Sequence, residues 1–120
     1  MAGTFVSDTI QNGAGATVPT TTVINGSAKA WVNFNASATP TINGTAFNVS
    51  SITYISTGQF TVNFTTAMPN ANYCATYQNA NGARYTWFDT LTTTSINVYC
   101  FANSGVYSNM PSNCVAIFST

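Results

Sequence analysis

One hundred and twenty residues are enough for one domain with a core of its own, and they leave no room for a second. Only Asp8, Lys29, Arg84 and Asp89 are charged, 3% of the chain, and there is neither His nor Glu. Two basic residues cannot neutralise a run of phosphates or hold an anionic bilayer, which excludes nucleic acid and a charged lipid surface as partners.

The polar surface must therefore be built from amides and hydroxyls: Asn, Ser and Thr number 15, 11 and 21. With 45% hydrophobic and 13% aromatic residues the chain is too apolar to remain a solvated coil. No run of about 18 apolar residues is present, so membrane insertion is not expected. Residues 1–8, Met-Ala-Gly-Thr-Phe-Val-Ser-Asp, have neither a basic nor an apolar region of the secretory type. Zero net charge removes the self-repulsion that keeps monomers apart, which points to an oligomer or to a part of a larger assembly.

Residues 1–26 differ in character from the rest of the chain. Gly13-Ala14-Gly15-Ala16-Thr17-Val18-Pro19-Thr20-Thr21-Thr22 is small and hydroxyl-rich. It reads as an extended N-terminal arm that attaches to a neighbour, able to span roughly 85 Å if fully stretched, or as an edge strand and a loop. Residues 27–120 read as the folded domain. From Ser27 onward the hydrophobic period is two. Ala28, Ala30, Val32 and Phe34 share one face, and Lys29, Trp31 and Asn33 the other. Phe60, Val62 and Phe64 alternate with Thr61, Asn63 and Thr65. Ile96, Val98, Cys100 and Ala102 alternate with Asn97, Tyr99 and Phe101. Residues 51–55, 73–78 and 85–88 add further strands, and Cys114-Val115-Ala116-Ile117-Phe118 reads as a buried last strand. Turn signals at Asn25-Gly26, Asn43-Gly44, Thr57-Gly58, Asn81-Gly82, Ser104-Gly105 and Met110-Pro111 separate the runs. No window of 12 residues has the pattern of an amphipathic helix. The expectation is an all-β fold, an antiparallel β-sandwich of seven to nine short strands, with jelly-roll connectivity one of the strand orders open to it.

The chemistry available to such a chain is narrow. General acid–base catalysis needs a group that titrates near neutrality, and Asp8 and Asp89 are the only carboxylate side chains. No enzyme, no catalytic residue, no metal site and no cofactor is expected. Cys74, Cys100 and Cys114 form no CxxC pair, and no His is present to complete a zinc site. They read as buried free thiols, or as one disulfide with a thiol left over. Asn-x-Ser/Thr occurs at Asn25, Asn35, Asn43, Asn48 and Asn63, as chance allows in so Asn- and Thr-rich a chain. Aromatic and amide recognition remains. Arg84, Tyr85, Trp87 and Asp89 cluster after Asn81-Gly82, and Tyr107 follows Ser104-Gly105. Ring faces beside hydrogen-bonding groups are what sugar recognition requires. The competing reading is that Trp87 and Phe88 straddle a core strand.

Three blocks carry a resemblance: Ala28-Lys29-Ala30-Trp31-Val32-Asn33-Phe34-Asn35, Phe47-Asn48-Val49-Ser50-Ser51-Ile52, and the long run from Thr57 to Tyr73, Thr-Gly-Gln-Phe-Thr-Val-Asn-Phe-Thr-Thr-Ala-Met-Pro-Asn-Ala-Asn-Tyr. They are similar to a module of bacteriophage and cyanophage tail-fibre-type proteins, and residues 114–118 resemble the way that module ends. Such modules often carry charges before the Phe47 block and an Asp-rich turn after Ile52, both missing here, and residues 79–113 match no part of it. The resemblance implies a framework and assigns no binding residue. It implies a virion protein, made in the host cytoplasm and commonly homotrimeric, whose residues 1–26 hold other virion proteins. Its outer loops near 79–90 and 103–113 would touch a host-surface receptor or glycan, with Arg84, Tyr85, Trp87, Asp89 and Tyr107 as contact candidates. The rival readings are a capsid-decorating or fibre-shaft protein without a receptor and, further off, a secreted carbohydrate-binding module.

Overall fold

The computed structural model describes residues 3–79 and 85–120. Ten strands run through them: β1 Thr9–Gln11, β2 Thr17–Pro19, β3 Ala30–Asn35, β4 Thr41–Ile42, β5 Val49–Ser56, β6 Gln59–Phe64, β7 Cys74–Asn79, β8 Tyr85–Asp89, β9 Ser95–Phe101 and β10 Asn113–Phe118. One helix, α1, covers Thr20–Gly26. Eight strands form two four-stranded antiparallel sheets in the orders β4-β3-β10-β7 and β5-β6-β9-β8. The sheets close face to face on the inner residues of each strand, so the protein is an all-β sandwich.

The two-residue period of the sequence maps onto the core. Ala30, Val32 and Phe34 of β3, with Val115 and Ile117 of β10, meet Phe60, Val62 and Phe64 of β6 and Ile96 and Val98 of β9. Phe34 and Phe60 touch edge to face across the sheets, with ring centroids 5.6 Å apart. Tyr73 closes one end, its ring 5.9 Å from Phe64 and its hydroxyl donating to Ser95 O at 3.0 Å.

β10 is central in its sheet, yet its apolar run is not buried on both sides. Val115 and Ile117 point inward, whereas Cys114 is exposed and Ala116 half-buried on the outer face. Strands carry two faces, and only one of them has a sheet to pack against. The same alternation corrects the cysteine reading: Cys100 is buried, Cys74 and Cys114 are exposed, and all three are reduced thiols.

Polar groups enter the core around Asn113 and Asn79. Asn113, fully buried, donates to Phe34 O at 3.3 Å and Met110 O at 2.9 Å, and accepts from the Tyr77 hydroxyl at 2.8 Å. Asn79 donates to the Cys100 sulfur at 2.9 Å. Burial pushes the Tyr77 phenol far above its ordinary value, and the neighbouring Cys100 and Cys114 act in the same direction. A phenol raised in the folded state holds its proton while the unfolded chain loses it. Its stabilisation is therefore complete below about pH 10 and is lost as pH climbs above that value. Urea midpoints are expected to fall above pH 10, with Tyr77 contributing up to about 1.4 kcal/mol per pH unit. Tyr77→Phe should flatten that slope; an unchanged slope would refute the assignment.

Residues 3–26 carry local structure of their own. β1 and β2 pair as a hairpin that forms a sheet of its own, with Asn12 Oδ1 accepting from the backbone of Ala14 and Ala16 at 3.0 Å. α1 comes next and buries no residue. Thr, Val, Asn and Gly favour a helix weakly, and seven residues fall short of autonomous helical stability. The turn is tied from outside: Thr20 N donates to Asp8 O at 3.0 Å, and Ser27 Oγ and the Lys29 ammonium both donate to Ile24 O. These ties from beyond the helix are why no local pattern announced it. The molecule measures 52 × 31 × 27 Å.

Candidate functional site

The inner phase of β6 and β9 is consumed by the core, so the outer phase of the same strands is presented to solvent. Gln59, Thr61 and Asn63 of β6 lie on this outer face together with Ser95, Asn97, Tyr99 and Phe101 of β9. β8 adds its own outer phase in register: Tyr85 opposite Phe101, Trp87 opposite Tyr99, Asp89 opposite Asn97.

The face divides in two. Towards the end of β9 it is aromatic. Trp87 meets Tyr99 edge-on at 5.6 Å and 84°. The loop after β9 folds back so that Tyr107 bridges to Phe101 and stacks on its ring at 4.4 Å and 29°, with Tyr99 6.3 Å away. Tyr85, Trp87 and Tyr107 remain 67%, 53% and 37% exposed, large for rings that cost free energy to leave in water. Towards the start of β9 it is an amide and hydroxyl lattice. Thr61 Oγ1 donates to Asn97 Oδ1 at 2.8 Å, and Asn63 Nδ2 donates to Thr53 Oγ1 at 2.8 Å and Ser51 Oγ at 3.1 Å.

Asp89 stands at the seam. Its Oδ1 accepts from the Tyr99 hydroxyl at 2.9 Å and from Thr90 Oγ1 at 2.8 Å. Burial first, and then the Asp89 carboxylate, hold the Tyr99 phenol above its ordinary value, so this hydroxyl stays a donor. Thr90 has a φ of +47°, a left-handed conformation uncommon for a β-branched residue. It ends β8 immediately after Asp89.

Four of the five candidates are thus gathered on one surface: Tyr85, Trp87, Asp89 and Tyr107. Arg84 lies outside the described residues. Tyr85, Trp87 and Asp89 sit on β8, in line with the strand expected over 85–88 and not on the outer loop expected near 79–90; only Tyr107 is in a loop. A sheet face holds side chains more rigidly than a loop does, since their backbone is hydrogen-bonded to β9. Trp87 and Phe88 do point to the two faces of β8, but β8 is an edge strand and not a core one: Trp87 points outward and Phe88, on the inner phase, is still 38% exposed. Tyr99 and Phe101 join the site from the outer phase of β9, where alternation places them without assigning a role. Aromatic residues on the phase opposite Ile96, Val98 and Cys100 were the signal.

Volume is found elsewhere. A cavity of about 520 Å³ lies where β3 begins and β6 ends, lined by Lys29, Phe47, Asn48, Met68, Pro69 and Thr120. A groove of about 390 Å³ runs over the outer face of the other sheet between Trp31 and Cys114. Compared with family models, curated proteins and solved structures, the chain matches none.

Proposed function

We propose that this protein is a structural protein of a phage particle, a tail-fibre or fibre-tip module that attaches to the host surface through the outer face of the β5-β6-β9-β8 sheet. The carrying observation is the exposed aromatic row of Tyr85, Trp87 and Tyr107, backed by Tyr99 and Phe101, beside an amide lattice in a chain of zero net charge. Rings that supply apolar contact next to side-chain hydrogen-bonders are the chemistry of carbohydrate recognition. The tail-fibre resemblance of residues 28–73 supplies the setting. Residues 1–26 serve attachment to the particle: Phe5 and Val6 are 87% and 85% exposed, and among the described residues the hairpin beside them pairs only with itself. A homotrimer would cover edge strands that a neutral surface leaves unprotected.

The test is adsorption. Trp87→Ala and Tyr107→Ala are each expected to weaken binding of the protein to host cells by about ten-fold or more while the melting temperature stays within about 3 °C of the parent. Full adsorption by both variants would remove the face from the reading. Light scattering should give three times the 12.6 kDa chain mass, and a monomer would sink the homotrimer. A decorating or fibre-shaft role without a receptor is the second reading, favoured by Trp31 and Phe47, exposed side by side on the opposite sheet. It predicts that Trp31→Ala loses incorporation into particles while Trp87→Ala changes nothing.

A further inference from the structure

From the same face we infer the chemical class of its ligand: a neutral, extended polysaccharide of pyranose rings, bound flat across several sugar units. The inference rests on the reading of this sheet face as the contact surface.

Three observations carry it. The first is shape. Along β9 the outer residues from Ser95 to Phe101 cover roughly 20 Å, and the strip from β6 to β8 is roughly 10 Å wide. That is longer than one sugar. A terminal monosaccharide needs a concave pocket, and the two larger cavities are lined by other residues. The second is the order of chemistry along the strip. Phe101, Tyr99 and Trp87 offer ring faces and edges at one half, and Asn97, Thr61 and Asn63 offer amides and hydroxyls at the other. A pyranose chain has the matching duality in every unit, an apolar C–H face and a polar rim, so a chain laid lengthwise meets both halves at once. The third is charge. Asp89 is the one charged side chain that the described residues place on this face, and its Oδ1 is already engaged by Tyr99 and Thr90. The Lys29 ammonium is engaged elsewhere, donating to Ile24 O and Ser27 Oγ. A chain of uronic acids or sulfated sugars would bring repeated negative charge to a carboxylate; neutral hydroxyls find donors and acceptors in kind.

The experiment is affinity electrophoresis of the full chain through native gels containing hydroxyethylcellulose, galactomannan or dextran as neutral probes and alginate or hyaluronate as acidic ones. Retardation is expected in at least one neutral gel and in neither acidic gel. Trp87→Ala should weaken it by about ten-fold or more, and Tyr99→Phe, which keeps the ring, should retain most of it. In a Trp31→Phe background, Trp87 fluorescence should shift on adding the retarding polysaccharide and not on adding its free monosaccharide at equal mass. No retardation in any neutral gel, stronger retardation by the acidic polymers, or a response insensitive to Trp87→Ala would each overturn the assignment. Host-cell adsorption measured in parallel separates the two claims. Adsorption that depends on Trp87 but is not competed by neutral polysaccharide defeats the ligand class and spares the attachment face. Retardation by neutral polysaccharide without adsorption to host cells does the reverse.

Discussion

Replacing Gly58 by alanine is expected to abolish folding, or to cost more than about 4 kcal/mol where folded protein is recovered. Gly58 turns the chain between β5 and β6 with a φ of +67°, in the left-handed region that glycine adopts without strain. That strain alone would cost any other residue about 1–2 kcal/mol. The surroundings add more. A Cβ at this position would lie 2.6 Å from Ser108 N, closer still to Cys100 O, and 3.1 Å from Tyr107 Cβ. Two of these three atoms are backbone, and both are fixed. Cys100 N donates to Gly58 O at 2.8 Å, Ser108 N donates to Cys100 O at 3.0 Å, and Gly58 N donates to Asn109 Oδ1 at 2.7 Å. The turn is thus clamped between the end of β9 and the loop that carries Tyr107. Gly44→Ala is the internal control: its φ is +72°, and a Cβ there meets nothing within 4 Å, so it should lose only the conformational term. Circular dichroism melts of the two variants separate the effects. Equal losses would show that the clamp contributes nothing. A Gly58→Ala protein that still folds should shift Tyr107 off Phe101 and weaken the proposed glycan binding with it.

Phe60→Ala should cost about 3–5 kcal/mol, close to half the stability of a domain of this size. Phe60 is completely buried, contacts Phe34 edge-on across the sandwich and lies 5.9 Å from the Tyr54 ring. Its removal leaves a void between two sheets that are each hydrogen-bonded along their length. They cannot collapse to refill it, so the cavity term adds to the lost transfer free energy. A denaturant midpoint lowered at unchanged m-value is the expected signature. An exposed apolar residue of comparable bulk, Ile10 on the hairpin, should change stability by less than about 0.5 kcal/mol on truncation to alanine. A loss under about 1.5 kcal/mol for Phe60→Ala would place the core elsewhere.

The aromatic face owes its interest to the scarcity of charge around it. Most surfaces use ions to stay soluble and to select partners. This one has amides, hydroxyls and rings, and it leaves its large rings on a face with no covering layer among the described residues. Tyr85, Trp87 and Asp89 are held by pairing with β9, and Tyr107 is held by the Gly58 clamp and by stacking on Phe101. The site is thus pre-positioned, which spares an extended ligand the cost of ordering it.

Fold class and the inward side of β3, β6 and β9 are legible in the residues alone. Alternation is a local property, and Ala30-Val32-Phe34, Phe60-Val62-Phe64 and Ile96-Val98-Cys100 show it without reference to any other part of the chain. The shortage of ions, and with it the narrow range of chemistry, is likewise plain from composition. Which strands neighbour which is settled by folding in three dimensions. Pairing β9 with β6 joins residues 32 to 40 positions apart, a choice that no local pattern encodes, whereas β8 and β9 are consecutive strands whose partners lie 8 to 16 positions apart. The β8–β9 pairing brings Tyr99 and Phe101 beside Trp87 and Tyr85, and the β6–β9 pairing adds the amide lattice to the same sheet face. The outer exposure of Cys74 and Cys114 has the same origin, because a strand's second face is buried only if another layer covers it. The short helix α1 belongs to the same class: weak propensity over seven residues is overridden by hydrogen bonds to Asp8, Ser27 and Lys29, ties that exist only once the chain has folded.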